Sequence, residues 1–163
     1  MTTAITLRAA EPGERELLYR VYASTRTEEL AVVPWDDVQK DAFLRMQFDA
    51  QDAWYREHYA GASFDVIVAD GKPAGRLYVN RGRSEIRIVD IALLPEYRGN
   101  GIGTSLLRNL LAEADAAGKR LTIHVERFNP ALRLYERLGF SVAEDKGVYL
   151  LLERQPRYVK TAS

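Results

Sequence analysis

The sequence contains no cysteine, and this absence excludes several kinds of chemistry. Without thiols the chain can form neither disulfides nor thiolate metal sites, and it cannot use a cysteine acyl-enzyme. Histidine occurs only twice, as His58 and His124, which argues against a histidine-rich metal centre. We therefore expect no bound metal and no covalent cysteine intermediate.

The chain also lacks an excess of charge of either sign. Lys and Arg together number 23, as do Asp and Glu, so the formal net charge at pH 7 is zero. This balance gives no electrostatic basis for binding nucleic acid or an anionic membrane. No apolar run approaches the roughly 18 residues of a membrane span, and Met1-Thr2-Thr3 does not open a signal peptide. We expect a soluble, cytoplasmic protein without nucleic-acid or membrane partners.

The composition is otherwise that of an ordinary globular chain, with 47% hydrophobic and 28% charged residues. A length of 163 residues predicts one domain, which we place at 1–154, followed by a C-terminal tail at 155–163. Hydrophobic periodicity predicts the order β-α-α-β-β-β-α-β-α-β-β. This order favours the α/β (α+β) class, with seven strands in one mixed sheet and helices on both of its faces.

A long helix is predicted after Val33-Pro34-Trp35, with Asp36 or Asp37 as its N-cap. Its main apolar stripe is predicted to contain Phe43, Met46, Ala50 and Trp54, widened by Leu44, Phe48, Tyr55 and Tyr59. Further along the chain, Asp70-Gly71 predicts a tight hairpin between two strands.

The most informative segment is a glycine-rich loop between a strand and a helix. Arg98-Gly99-Asn100-Gly101-Ile102-Gly103 follows the turn Pro95-Glu96-Tyr97, and an amphipathic helix begins at once. Alternate glycines leave backbone N–H groups uncovered, and a helix start adds unpaired N–H groups and partial positive charge. Together with the charge of Arg98, they form an anion site suited to a diphosphate.

Two other nucleotide motifs fit this loop less well. A P-loop needs four residues between its glycines and then Lys-Ser or Lys-Thr, a string that the sequence does not contain. A dinucleotide fingerprint needs G-x-G-x-x-G early in a run of βαβ units, whereas G-x-G-x-G stands here two-thirds along the chain. A glycine-rich helix start without a ligand is the remaining alternative.

The segment resembles motif A of the GNAT superfamily of acyl-CoA-dependent N-acetyltransferases, with Arg98, Gly101 and Gly103 at the motif positions. The element order also matches that family, whose single-domain fold has a mostly antiparallel sheet. The resemblance implies acetyl-CoA as the cofactor, with its diphosphate held in this loop. The residues implied there are Arg98, Gly99, Asn100, Gly101, Gly103 and Thr104.

Residues 129–140 resemble motif B of the same family. The resemblance implies that Tyr135 is the general acid for the leaving thiolate and lies near the cofactor sulfur, and that Asn129 lies along the pantetheine arm. The Asn-to-Tyr spacing is six here, whereas many members have seven. The alternatives are an N-cap role for Asn129 and a core role for Tyr135.

The strand at 85–94 loses its polar–apolar alternation at Val89-Asp90, which suggests a bulge near Asp90 to Leu93. In the GNAT family, such a bulge separates this strand from the next, and the pantetheine pairs in the gap. The resemblance implies that Ala92 and Leu93 line the cofactor and that the Leu93 N–H faces the thioester carbonyl, where it would stabilise developing negative charge. A locally irregular strand without chemistry is the alternative.

The general base has three candidates. Removing the proton of an alkylammonium with a pKa of about 10.4 costs roughly 4–5 kcal/mol at pH 7. For an α-amino group the cost is about 1 kcal/mol. Asp90 ranks first, in a position where polyamine and diamine acetyltransferases of the superfamily carry an acid. Glu85 and His124 follow. A site without a dedicated base is also open, as is a salt-bridging role for these residues.

The family resemblance places acceptor specificity in the first two helices and their connection, which indicates Glu28, Trp35 and Phe43, together with Asp90. We predict an N-acetyltransferase that moves an acetyl group to a small primary amine by direct attack, as a monomer or homodimer. The alternatives are acetylation of a protein N-terminus or lysine, and a non-catalytic domain that senses acyl-CoA or serves as a scaffold.

Overall fold

The computed structural model describes residues 3–157, which contain seven strands and five α-helices. The strands are β1 Ile5–Ala9, β2 Ser63–Ala69, β3 Lys72–Arg81, β4 Glu85–Leu93, β5 Arg120–Glu126, β6 Ser141–Asp145 and β7 Tyr149–Arg154. The helices are α1 Arg15–Ser24, α2 Thr27–Ala31, α3 Asp37–His58, α4 Ile102–Ala117 and α5 Leu132–Arg137. Of the predicted tail at 155–163, residues 158–163 lie outside the described part.

The strands form one seven-stranded sheet in the order β1-β2-β3-β4-β5-β7-β6, flanked by helices. The pairs β1–β2, β5–β7 and β6–β7 are antiparallel, and β4–β5 is parallel. The predicted fold class is therefore confirmed. Helix α2 lies in the stretch predicted as the connection between the first two helices, and its five residues are too few to show helical periodicity.

Contacts divide the chain into two compact units. Within the described residues, the first unit runs to Tyr78 and also includes Ile91–Asn100. The second unit contains Val79–Asp90 and the residues from Gly101 onward. The hairpin turn between β2 and β3 belongs to the first unit. Its two residues, Asp70 and Gly71, have φ of 49° and 80°, which confirms the predicted tight turn.

In the first unit, α1, α2 and α3 pack their apolar side chains against β2. The buried cluster consists of Leu18, Tyr19, Tyr22, Leu30, Leu44, Phe48 and Val66. Helix α3 begins at a reciprocal cap: the Gln39 N–H donates to Asp36 Oδ1 (2.8 Å), and the Asp36 N–H donates to Gln39 Oε1 (3.0 Å). Asp36 is thus the N-cap.

The buried face of α3 differs from the predicted stripe. Leu44, Phe48 and Asp52 are buried, whereas Met46 is 62% exposed and Trp54 is 48% exposed. On the exposed side, Trp54 stacks on His58, with ring centroids 4.0 Å apart. The prediction failed because Asp52, a carboxylate, occupies the inward position one turn beyond Phe48.

Asp52 is buried because two arginines neutralise it. Arg15 Nη1 donates to Asp52 Oδ2 (2.9 Å), and Arg56 Nε donates to the same oxygen (3.1 Å). Both guanidinium groups also lie over aromatic rings, Arg15 over Phe48 and Arg56 over Phe64. This arrangement supplies the pairing that a buried charge requires.

Glycine at position 75 of β3 allows a very close approach to β4. A Cβ on Gly75 would overlap the carbonyl oxygen of Ala92 and would crowd Leu93 Cα. A side chain at position 75 would therefore push the last residues of β4 away.

In the second unit, α4 buries the residues that the sequence predicts, namely Leu106, Leu107, Leu110, Leu111 and Ala114. The helix ends at Gly118, whose φ of 65° is the left-handed C-terminal conformation. Strand β5 buries Leu121, Ile123 and Val125.

Candidate active site

The glycine-rich loop has the backbone conformation that its sequence requires. Gly99 and Gly101 have φ of 78° and 79°, a left-handed region that side chains with a Cβ rarely adopt. Apart from chain neighbours and the backbone of α4 itself, no described residue places a heavy atom within 4 Å of an ideal Cβ at Gly99, Gly101 or Gly103. The backbone is therefore uncovered on this side of the loop.

The start of α4 adds hydrogen-bond donors to this loop. The Ser105 N–H bonds back to the Gly101 carbonyl (3.0 Å), so the N–H groups that precede it in the first turn have no intrahelical acceptor. The first turn of this 16-residue helix carries no acidic residue. Uncovered N–H groups and the positive end of a long helix fit a diphosphate, which supports this loop as the place where coenzyme A would be held.

Arg98 is engaged with oxygen atoms of the protein. Its Nε donates to the Leu93 carbonyl (3.0 Å). Its Nη2 donates to the Ser24 carbonyl (3.3 Å) and to Ser24 Oγ (3.2 Å). The guanidinium therefore links the end of β4 to the end of α1.

Strands β4 and β5 are paired only over their first halves. The parallel register runs from the Glu85–Arg120 pair to the Ile88–Ile123 pair, and the described parts of both strands continue beyond it. The alternation of buried and partly buried residues in β4 also stops after Ile88. This is the position where the sequence alternation breaks.

Tyr135 lies beside Asp90 within the second unit. Tyr135 is buried on α5, and its ring packs edge-on against Phe140 with centroids 5.5 Å apart. Burial, together with the negative charge of Asp90, raises the pKa of Tyr135 to about 12. The hydroxyl therefore keeps its proton at neutral pH.

Asn129 has a structural contact close to Tyr135 in the chain. Its Oδ1 accepts a hydrogen bond from the Ala131 N–H (2.8 Å), and its carbonyl accepts one from the Leu132 N–H (3.1 Å). The side-chain oxygen thus stabilises the turn that precedes α5, whereas the N-cap of α5 is Ala131, so Asn129 is not the N-cap that the sequence left open.

The two other base candidates have cationic neighbours. Glu85 forms ion pairs with Arg87 (3.2 Å) and Arg120 (3.1 Å) at the paired end of β4. His124 Nε2 lies 3.1 Å from Lys146 Nζ. Desolvation, and then the charges of Arg87 and Lys146, lower the pKa of His124 below its ordinary value.

The predicted acceptor residues of the first unit lie on α2, on α3 and between them. The rings of Trp35 and Phe43 meet edge to face with centroids 5.2 Å apart, and Trp35 is 40% exposed. Glu28 is exposed on α2. An open cleft of about 540 Å³ lies among the three helices of this unit and includes Ser24 and Asp41 in its lining.

Two positions of the first unit, Gly75 and Ser24, were not predicted from the sequence. Gly75 was detectable, because an isolated glycine within a strand often marks close backbone approach. Ser24 gave no signal, since its partner Arg98 is 74 positions away. Among residues 3–157 no group of His, Asp or Glu side chains is placed to hold a metal, and no helix is long and apolar enough to cross a bilayer.

Comparison with known proteins gives consistent matches. Residues 19–140 match the Acetyltransferase (GNAT) family. A Bacillus subtilis (strain 168) protein with the provisional name [ribosomal protein bS18]-alanine N-acetyltransferase is 32% identical over 143 residues, covering 85% of this chain and 82% of that protein. Streptothricin acetyltransferase of Streptomyces lavendulae is 29% identical over 157 residues, covering 82% and 80%.

A solved structure shares the fold. The PaiA N-acetyltransferase of Thermoplasma acidophilum, crystallised with coenzyme A, superposes with a TM-score of 0.70 at 18% identity. The superposition covers 93% of this chain and 99% of that chain.

Proposed function

We propose, since the chain belongs to the acetyltransferase (GNAT) family, that it moves the acetyl group of acetyl-CoA to a primary amine of a small molecule by direct attack. The match to residues 19–140 includes parts of both compact units. We accordingly propose a single acetyltransferase domain at 1–154. Acetyl-CoA supplies the activated acyl group as a thioester.

The loop after β4 would hold the diphosphate of the cofactor. Backbone N–H groups of Gly99, Asn100, Gly101, Gly103 and Thr104 would donate to it. This assignment is supported by the left-handed glycines and the open space above them.

Ala92 and Leu93 would line the pantetheine arm where β4 extends beyond its pairing with β5. The Leu93 N–H would donate to the carbonyl oxygen on which negative charge develops. Asn129, whose side chain stabilises the turn before α5, would lie along the pantetheine arm.

The observation that carries the proposal is that the buried Tyr135 hydroxyl lies close enough to Asp90 to be influenced by its charge. Tyr135, which is protonated at neutral pH, would give a proton to the leaving thiolate. The carboxylate of Asp90 would attract an ammonium group and accept its proton. We give Glu85 a structural role, because two arginines neutralise it. His124 is second to Asp90, because desolvation, and then the charges of Arg87 and Lys146, lower its pKa.

The acceptor would be a small amine rather than a protein. Trp35 and Phe43, together with Glu28, would contact it from the connection between α2 and α3. The Streptomyces relative is named for a small molecule, whereas the Bacillus relative is named for a ribosomal protein. The names of these relatives are therefore consistent with both acceptor classes. The charge of Asp90 favours a cationic amine.

A screen of acceptors tests the proposal. Diamines, amino acids, aminoglycosides and N-terminal peptides would be offered with acetyl-CoA, and the released thiol would be measured. Asp90→Asn should lower kcat/KM for an alkylamine by about 10²-fold at pH 7 and by less at high pH, because the amine then needs less help to lose its proton. Glu144→Gln, which changes an exposed carboxylate of the same unit, is the control.

Three outcomes would contradict the proposal. Acetylation of peptides alone would identify a protein acceptor. Equal activity of Asp90→Asn and the parent protein at every pH would remove Asp90 from the reaction. Binding of acetyl-CoA without turnover of any amine would favour the non-catalytic alternative.

A further inference from the structure

Arg98 stands at the first position of the glycine-rich motif, yet its side chain contacts the end of α1. Ser24 is the last residue of α1, and its carbonyl is among those that lack an intrahelical donor at a helix C-terminus. A cation is favoured at this end of a helix, where the partial charge is negative. The contacts at 3.2 and 3.3 Å therefore match both the hydrogen-bonding needs and the electrostatics of the helix end.

The orientation of the Ser24 side chain is fixed by a further hydrogen bond. Its hydroxyl donates to the Val21 carbonyl (2.7 Å), which turns the oxygen lone pairs toward Arg98 Nη2. Thr25 Oγ1 likewise donates to the Tyr22 carbonyl (2.6 Å). The last turn of α1 thus presents Arg98 with two acceptor oxygens of one residue.

The other end of this connection is equally defined. Arg98 Nε bonds to the Leu93 carbonyl five positions earlier, so the side chain closes the turn at 94–97. The Leu94 N–H is in turn bonded to the Ala74 carbonyl of β3 (2.8 Å). The turn that leads into the glycine loop is therefore anchored both to the sheet and to α1.

We propose that Arg98 is a positioning residue, which holds the C-terminus of α1 and the following helix α2 against the end of β4. Only two residues, Thr25 and Arg26, separate α1 from α2. Displacement of Ser24 would therefore move the α2–α3 connection that carries Trp35. Loss of Arg98 would impair binding of the acceptor more than binding of coenzyme A. This inference rests on the proposed function, which places the acceptor beside that connection.

Three variants separate this role from a contact with the diphosphate. Arg98→Met removes the charge at similar length, and Arg98→Lys keeps the charge but cannot donate from two nitrogens in a fixed fork. Arg108→Met removes an exposed arginine from the next turns of α4 and serves as the control. Circular dichroism and thermal melting verify that each variant is folded.

The first measurements are coenzyme A titration calorimetry and steady-state kinetics. For Arg98→Met we expect the coenzyme A Kd to stay within about threefold of the parent value, and the amine KM to rise about tenfold with a smaller change in kcat. Arg98→Lys should restore little of this loss. A rise of about tenfold in the coenzyme A Kd that lysine reverses would overturn the proposal and assign the charge to the diphosphate.

Hydrogen exchange supplies a readout that does not need the acceptor. Amides at 22–32 should exchange about tenfold faster in Arg98→Met than in the parent protein or Arg108→Met. Unchanged exchange at 22–32 would overturn the proposal even if a small amine is the acceptor. Faster exchange without turnover of any small amine would instead leave the role of Arg98 standing and reject the proposed acceptor.

Discussion

Tyr135 has two roles in the proposed site: its ring packs in the protein interior, and its hydroxyl would donate a proton. Its ring contacts Phe140, and its pKa is about 12 because of burial and the charge of Asp90. The Tyr135 hydroxyl of the resting protein is therefore almost fully protonated at neutral pH. Packing and proton donation depend on different atoms of this residue, so they can be separated by experiment.

Replacement of Tyr135 by phenylalanine keeps the ring and removes the hydroxyl. We expect kcat to fall by about 10²–10⁴, the range for loss of a general acid, while the coenzyme A Kd changes little. Single-turnover kinetics and calorimetry would measure the two quantities. Near-normal turnover would reduce Tyr135 to a core aromatic.

Gly101→Glu tests the loop at a single position. A glutamate there adds bulk and negative charge beside the predicted diphosphate, so calorimetry should detect no coenzyme A binding by a folded variant. Gly71→Glu is a matched control, because Gly71 has a φ of 80° and equally open surroundings but lies in the β2–β3 turn. If Gly101→Glu binds as tightly as Gly71→Glu, the loop is not the cofactor site.

Among the secondary-structure elements, α3 departs most from its sequence pattern. Its inward face includes the carboxylate of Asp52, which is held by Arg15 and Arg56. Each arginine is about half exposed and can regain water when its partner is lost. The pairing therefore matters mainly for keeping the carboxylate satisfied.

Asp52→Asn should lower the free energy of unfolding by about 1–2 kcal/mol, because the amide cannot satisfy both guanidinium groups. Asp52→Leu should cost less, since an apolar side chain needs no partner in the same place. Urea unfolding of these variants and of Asp49→Asn, an exposed partner of Arg15, would measure the difference. Equal losses for Asp49→Asn and Asp52→Asn would show that burial of the carboxylate is unimportant.

The sequence predicted the elements whose patterns are strong and local. The leucine stripe of α4, the hairpin at Asp70-Gly71 and the cap at Asp36 depend on residues a few positions apart. Helix α2 is too short for such a pattern. The inward face of α3 cannot be identified from apolar residues alone, because it includes the charged residue Asp52.

The candidate site shows the same division between local and distant signals. The left-handed glycines of the loop follow from their own spacing. The contact of Arg98 with Ser24, and that of Glu85 with Arg120, depend on tertiary packing and strand register. Neither contact can be predicted from a short stretch of sequence.

Over the whole molecule, zero net charge conceals many paired charges. Arginine neighbours lower the pKa of several carboxyl groups: Glu14, to about 2, and Glu16, Glu113, Asp115 and Asp145. Each group binds its proton less readily in the folded chain than in the unfolded chain. Their stabilising contribution is therefore complete above the ordinary carboxyl pKa and is lost as the pH falls through the folded value.

We accordingly expect the urea midpoint to fall slightly below about pH 6.5, where the unfolded chain protonates His124 more readily than the folded chain, and to fall steadily between about pH 4.5 and pH 2. Added salt should weaken the effect, because most of these pairs are exposed. Arg8→Met should reduce the acid sensitivity slightly by releasing Glu14. A midpoint that rises on acidification would contradict this account.

The stacking of Trp54 on His58 gives the protein an optical signal of its own. The chain has only two tryptophans, and Trp54 is the one whose indole lies against an imidazole. In Trp54→Phe the remaining emission comes from Trp35 alone, beside Phe43. That single emitter would report amine binding in solution without any attached dye.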